Sequence, residues 1–307
     1  MKSNQIYPEL NRLGFSGVSI EEQMVATGPN VWLRVVVFQP LKPKDNPAVV
    51  FVAGWMSIID GWIEVLKEMT RDFVVYYVET REKKSSRIKG HVRYGVRDIG
   101  MDIVKIVDHF GLKDNQYLIA GSSLGATAVL DCHGFFNALP LTLVMINPNA
   151  EFRIPKIWKW IIGLFYPPLF VLFRPVVKWY LRTFRLDIHS DPAQYKKYCG
   201  TLDNADPWRS KRTAMAIWNY QIWDKLQSVQ FPTLIVGASR DKLHEPENIQ
   251  RMVSQLPGAT YLDMETNARN HSQELVEEIR KYLDNLPGYG EERLARISHR
   301  KLLRNGG

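Results

Sequence analysis

The chain has 307 residues, 45% apolar and 23% charged, an ordinary globular composition that excludes a disordered or fibrous protein. Its formal net charge of +8 favours anionic surfaces but says nothing about fold. Two cysteines, Cys132 and Cys199, make neither a disulfide framework nor a zinc quartet, so neither metal nor cofactor is expected.

The opening stretch MKSNQIYPELNRLGF lacks the apolar centre of a signal peptide, and a cytoplasmic location is expected. Next come QMVAT and VWLRVVVFQ, separated by Gly28-Pro29-Asn30, a turn too short for a crossover helix, which predicts an antiparallel hairpin. Unalternating apolar runs follow at 48–54, 73–79, 115–121, 141–147 and 232–238, the pattern of strands covered on both faces. Between them Val96, Ile99, Ile103, Val104, Ile106, Val107 and Phe110 recur at helical spacing, with Gly111 as a stop. GATYLDM (258–264) predicts a further strand and HSQELVEEIRKYL a last helix. The sum is an α/β fold with a mostly parallel central sheet flanked by helices. Residues 1–150 and 226–286 are expected to form the catalytic domain, 151–225 an inserted helical cap, and 287–307 a basic tail.

Residues 119–126 read IAGSSLGA, placing Ser123 in a G-x-S-x-G motif after a buried-type strand and before the helix-compatible run LGATAVLDCHGFF. Small flanking residues suit a sharp strand-to-helix turn, where strand and helix approach closely. A serine nucleophile needs a base, and the base needs an acid. Such groups gather beyond the carboxyl ends of strands. Asp241 in GASRDKLHEPE and His271 in TNARNH stand there, in the order nucleophile, acid, base. His244 is the competing base, though it shares a loop with Asp241; Glu151 and Asp263 are weaker substitutes for the acid. Asp241 could instead be a loop carboxylate or helix cap. The backbone N–H groups of Leu124 and of Trp55, in VAGWMS, are the candidate oxyanion donors, and the Trp55 indole is equally readable as core packing.

With these motifs, AGW at 53–55, ETREKKSS at 79–86, GSSLGA at 121–126, GASRD at 237–241 and NH at 270–271, the chain resembles the α/β-hydrolase superfamily over about residues 20–285. It is similar to its capped serine-hydrolase branch of monoacylglycerol lipases and related esterases. The resemblance implies Ser123 as nucleophile, Asp241 as acid, His271 as base, and Trp55 with Leu124 as oxyanion donors. Ala53 and Ser122 replace residues that are often histidine in that branch. ETREKKSS is a charged variant of a usually glycine-rich loop, and Arg81 to Arg87 read as a solvated stretch near the site entrance. A serine at the elbow argues against the aspartate-nucleophile epoxide hydrolases and haloalkane dehalogenases.

Within the expected cap, Trp160 to Phe173 is a charge-free run of fourteen, short of the ~20 residues a membrane span needs and interrupted by Pro167-Pro168. Lys156, Lys159, Arg174, Lys178, Arg182 and Arg185 flank it, as in an interfacial helix pair touching an anionic membrane; a soluble cap packed on the catalytic domain is the alternative. Aliphatic density argues against nucleic-acid binding. The expected activity is hydrolysis of carboxylic esters of medium or long acyl chains through an acyl-enzyme. Acyl transfer or thioester cleavage by the same triad, and a non-catalytic module holding an apolar ligand, are the competing readings.

Overall fold

Strands apolar on both faces need helices above and below, and the computed structural model has that arrangement. It describes residues 14–42, 44–152, 160, 162–164, 166–185, 192–241, 246–287 and 289. The strands are β1 (Val18–Gly28), β2 (Val31–Pro40), β3 (Ala48–Val52), β4 (Val75–Val78), β5 (Arg87–Ile88), β6 (Tyr117–Ser122), β7 (Leu143–Ile146), β8 (Thr233–Gly237) and β9 (Ala259–Asp263). They form one sheet in the order β1-β2-β4-β3-β6-β7-β8-β9, with the short β5 added to β2. The predicted hairpin is β1–β2, and every pairing from β4 to β9 is parallel.

Successive residues of the central strands point to opposite faces, so the apolar runs feed two cores. Val50, Val52, Ile119 and Met145 face one side with helix α2 (Val96–His109), following the first helix α1 (Ile63–Met69). Phe51, Leu118, Val144 and Val236 face the other, against Leu66 and Met69 of α1. The helix after the elbow, α3 (Leu124–Asp131), is shorter than LGATAVLDCHGFF suggested, giving way to a 3-10 turn at His133–Phe135. Gly111 ends α2 as expected: at φ 60° it occupies the left-handed conformation that costs glycine little.

Between β7 and β8 the chain leaves the sheet for α4 (Phe170–Tyr180), α5 (Pro192–Asn204) and α6 (Pro207–Ile217), before α7 (Pro246–Gln255) and α8 (Gln273–Asp284) complete the wrapping. No helix among the described residues is long and apolar enough to cross a membrane.

The charged loop at 79–86 departs from expectation. Arg81, Glu82, Lys83 and Ser86 are buried rather than solvated, with only Lys84 and Arg87 turned outward. Charge density misleads here because each buried charge has a partner: Arg81 Nε and Nη2 meet Asp102 of α2 in a two-pronged contact at 2.7 and 2.8 Å, Nη2 also reaches the Asp98 carbonyl, and Nη1 reaches the Arg93 carbonyl. Burial pushes the Lys83 ammonium below its usual range.

A second buried carboxylate joins the sheet to the chain returning from the insertion. Asp131, at the end of α3, accepts from Tyr220 Oη at 2.5 Å and from Lys225 Nζ, with Arg97 at 3.7 Å. Burial raises its pKa, but the hydrogen bonds from Lys225 and Tyr220 and the nearby cations outweigh that and hold it below the ordinary carboxylate range. The stability it contributes is therefore complete above its unfolded-state pKa of about 4 and fades as pH falls through the lower folded value. Asp131→Asn is expected to lower unfolding free energy by about 1–3 kcal/mol at pH 7. In urea melts, the gap between the two proteins should shrink below about pH 4.

Candidate active site

Three glycines set the geometry around Ser123. A Cβ on Gly121 would stand 2.7 Å from Ala126 Cα, one on Gly125 would stand 2.6 Å from the Val52 carbonyl oxygen, and one on Gly54 would stand 3.2 Å from Ser123 Cβ. Strand β6, helix α3 and the loop after β3 thus meet at backbone distance. Ser123 takes the turn between β6 and α3 at φ 49° and ψ −119°, a conformation that costs a non-glycine residue about 1–3 kcal/mol. It is held by its own N–H, which donates to the Ile146 carbonyl, and by Thr127, whose N–H and hydroxyl both donate to the Ser123 carbonyl. Ser122 belongs to strand β6 and is buried.

The two candidate oxyanion donors lie on either side of that turn. Leu124 is the first residue of α3, and Trp55 follows Gly54; neither N–H has a hydrogen-bond partner among the described residues. The loop after β3 is a four-residue turn closed by Ser57 N–H on the Gly54 carbonyl at 3.1 Å, with Met56 at φ 59°. Glu82 anchors it: Oε1 accepts the Met56 N–H at 3.3 Å and the Thr80 hydroxyl at 2.8 Å. The buried charged loop is therefore the support on which the Trp55 amide rests. The Trp55 side chain packs against the buried cluster of Val96, Ile99, Leu124, Ala128 and Ile217, so core packing and a backbone N–H unpaired among the described residues coexist in one residue.

His271 lies in the 3-10 turn Arg269–His271, beyond β9, its ring 4.0 Å from that of Trp62. Trp62 is in turn fixed by its indole N–H on Ser57 Oγ at 2.9 Å. The His271 Nδ1–H donates to the Asn267 carbonyl at 2.9 Å, leaving Nε2 as the acceptor nitrogen. Asp241 is buried just past β8, its N–H on the Ala238 carbonyl. Ser123 and the two amide donors are together at the elbow, but no hydrogen bond joins Ser123 to His271. Ser123 Oγ accepts from Asn149 Nδ2 at 2.8 Å, and His271 Nε2 accepts from Lys197 Nζ of α5.

Asn149 and Lys197 were not singled out in the sequence. Asn149 had one available signal, its place beyond the carboxyl end of β7. The weaker acid candidates serve structure: Glu151 accepts from the Trp223 indole, and Asp263 from the Ser239 and Glu265 amides. His133 bridges the Leu130 and Ser228 carbonyls. His244 lies outside the described residues, as do Lys156, Lys159 and the tail from 290. Among the described residues no cluster of His, Cys, Asp and Glu has the makings of a metal site. Two clefts, of about 1190 and 880 Å³, open beside Pro47, Gln116 and Pro232 and beside Pro257 and Thr260, at the amino ends of the strands and away from Ser123.

No family profile matches the chain, and no curated protein matches its sequence. The likeness is to solved structures. A hydrolase from Pseudomonas aeruginosa PA01 superposes with a TM-score of 0.67 at 14% identity, covering 86% of this chain and 95% of that one. A thermophilic esterase from Thermogutta terrifontis gives 0.67 at 15% identity over 88% and 99%. An enol-lactonase from Burkholderia xenovorans LB400 gives 0.69 at 14% over 84% and 98%. The chain has the α/β-hydrolase fold.

Gly125→Ala tests the close approach at the elbow. Alanine suits a helix better than glycine by about 1 kcal/mol, yet its Cβ would meet the backbone oxygens of Val52 and Ala53 at 2.6 and 2.9 Å, which cannot turn aside. A net loss of about 2 kcal/mol or more is expected in chemical denaturation. Gly134→Ala, where a Cβ meets nothing within 4 Å, should leave the midpoint nearly unchanged.

Proposed function

We propose that the chain is a serine carboxylic-ester hydrolase acting on medium or long acyl chains. The observation that carries this reading is half-buried Ser123 at φ 49°, between two amides that have no hydrogen-bond partner among the described residues, in a fold shared with esterases. In the proposed reaction Ser123 Oγ bonds to the acyl carbon as its proton passes to His271 Nε2. The Trp55 and Leu124 N–H groups receive the charge on the carbonyl oxygen. The C–O bond to the alcohol then breaks, the alcohol leaving with the proton from His271. Water repeats the sequence on the acyl-enzyme and releases the carboxylic acid. Asp241, buried just past β8, is the proposed acid that orients His271.

The insertion supports the apolar half of the proposal. Ten of the fifteen exposed large apolar side chains among the described residues fall between Trp160 and Tyr180, with Leu164 82% and Leu172 72% exposed. Water is a poor solvent for such a patch, and Arg174, Lys178 and Arg182 lie within or beside it. We assign it to the surface of an anionic bilayer, with aromatic and aliphatic groups entering the headgroup boundary and the cations at phosphate level.

A fluorophosphonate should label the wild-type protein and Ser122→Ala but not Ser123→Ala. Turnover of p-nitrophenyl esters should rise from acetate to octanoate, since each buried methylene adds up to ~0.8 kcal/mol. Equal labelling of Ser123→Ala removes the nucleophile, and failure of any ester to turn over leaves the ligand-binding reading. For the membrane, cosedimentation should be greater with phosphatidylglycerol vesicles than with phosphatidylcholine vesicles, and should weaken with added salt and in Leu164→Glu/Leu172→Glu. Binding indifferent to lipid charge, to salt and to these substitutions would leave α4 a soluble cap.

A further inference from the structure

The proposed reaction leaves one contact of its nucleophile unused: Asn149 Nδ2 donates to Ser123 Oγ at 2.8 Å. Asn149 follows β7 in a segment held by its backbone. The Asn147 N–H donates to the Val236 carbonyl at 2.8 Å, the Asn149 N–H donates to the hydroxyl of fully buried Thr127 at 3.2 Å, and the Ala150 carbonyl accepts the Ile222 N–H at 2.9 Å. Thr127 is in turn tied to the Ser123 carbonyl through its own N–H at 3.0 Å. None of these bonds uses the Asn149 side chain, so the amide is presented to the serine by a frame that a substitution of that side chain leaves in place.

A hydroxyl oxygen has one proton and two lone pairs. One lone pair of Ser123 Oγ accepts the Asn149 N–H, which leaves the proton for a base and the other lone pair for an acyl carbon. The contact is therefore compatible with attack, but its strength changes along the reaction, because a hydrogen bond strengthens as its acceptor gains negative charge. In acylation Oγ passes from a hydroxyl to an ester oxygen, a weaker acceptor, and the Asn149 N–H adds nothing to that step. Deacylation runs the other way. The water oxygen bonds to the acyl carbon as its proton passes to His271 Nε2. The bond from that carbon to Oγ then breaks, Oγ keeps the electron pair, and the proton on His271 moves to Oγ and restores the hydroxyl. Oγ gains negative charge while this bond breaks, so a donor fixed beside it stabilises the transition state more than the acyl-enzyme. Asn149 itself neither gains nor loses a proton.

We infer that Asn149 is a further catalytic residue, one that assists the departure of Ser123 Oγ from the acyl-enzyme. The inference rests on the ester-hydrolase reading and assigns the donor for its second half.

The test separates the two halves with p-nitrophenyl octanoate. The value of kcat/KM reports acylation, in which the leaving atom belongs to the substrate. The deacylation rate, in which the leaving atom is Oγ, is kcat divided by the fraction of Ser123 found octanoylated by mass spectrometry of samples quenched during saturated turnover. In Asn149→Ala, kcat/KM is expected to stay within about threefold of wild type while the deacylation rate falls about tenfold or more and the octanoylated fraction rises. Asn149→Asp keeps the shape but sets a carboxylate where the donor stood, and should slow deacylation further. A deacylation rate within about threefold of wild type in either folded variant overturns the inference. So does a parallel fall in kcat/KM and deacylation, which would make Asn149 only a support for the position of the serine. A wild-type protein that neither takes up a fluorophosphonate nor turns over the ester removes the hydrolase reading and this inference with it, whereas an active wild type with unaltered variants removes this inference alone. Thermal midpoints matching that of wild type identify the folded variants.

Discussion

Everything at the candidate site depends on backbone approaching backbone at the end of β6. Gly121, Gly125 and Gly54 remove the side chains that would separate strand, helix and neighbouring loop, and a Cβ at any of them would fall within 3.2 Å of another group. The chain can then reverse within one residue, and Ser123 carries the cost as a positive φ. In return, the first amide of α3 and the amide after Gly54 are brought beside the serine with no strand or helix partner of their own. Both amides are fixed by the backbone itself, which is the property the proposed oxyanion role relies on.

That arrangement is braced from behind by charge. Glu82 accepts the Met56 amide and so holds the turn carrying Trp55. The adjacent Arg81 ties the same loop to Asp102 of α2, and Arg209 of α6 reaches the Lys83 and Ser86 carbonyls from the insertion. One buried loop thus links the sheet, a flanking helix and the insertion. Isolated buried charges are costly, but these are paired and hydrogen-bonded, so what they provide is definition of a single loop geometry rather than large net stability.

The insertion reaches the site at two levels. Arg209 contacts the loop that supports the turn carrying Trp55, while Lys197 touches His271 itself. Lys178 of α4 pairs with Asp203 of α5 at 2.8 Å, so the helix bearing much of the apolar patch is tied to the helix bearing Lys197. The exposed apolar patch and the lysine beside His271 are thereby parts of one short helical unit.

The sequence by itself determined the sheet, the hairpin, helix α2 with its glycine stop, and the placing of Ser123 at a strand-to-helix turn. These rest on local rules, namely apolar runs, periodicity and conformational freedom, which neighbouring residues satisfy without knowledge of the rest of the chain. The candidate histidine and aspartate could be placed only as far as the strand ends they follow. Tertiary structure decided what those residues touch. It paired Arg81 with Asp102, turning a loop that reads as solvated into buried support, because desolvated charges select partners by distance in space rather than in sequence. It also brought Asn149 to Ser123 and Lys197 to His271, contacts spanning 26 and 74 residues. No local pattern marks either residue, since an asparagine after a strand and a lysine on a helix are ordinary until the folded chain sets them against a serine hydroxyl and an imidazole nitrogen.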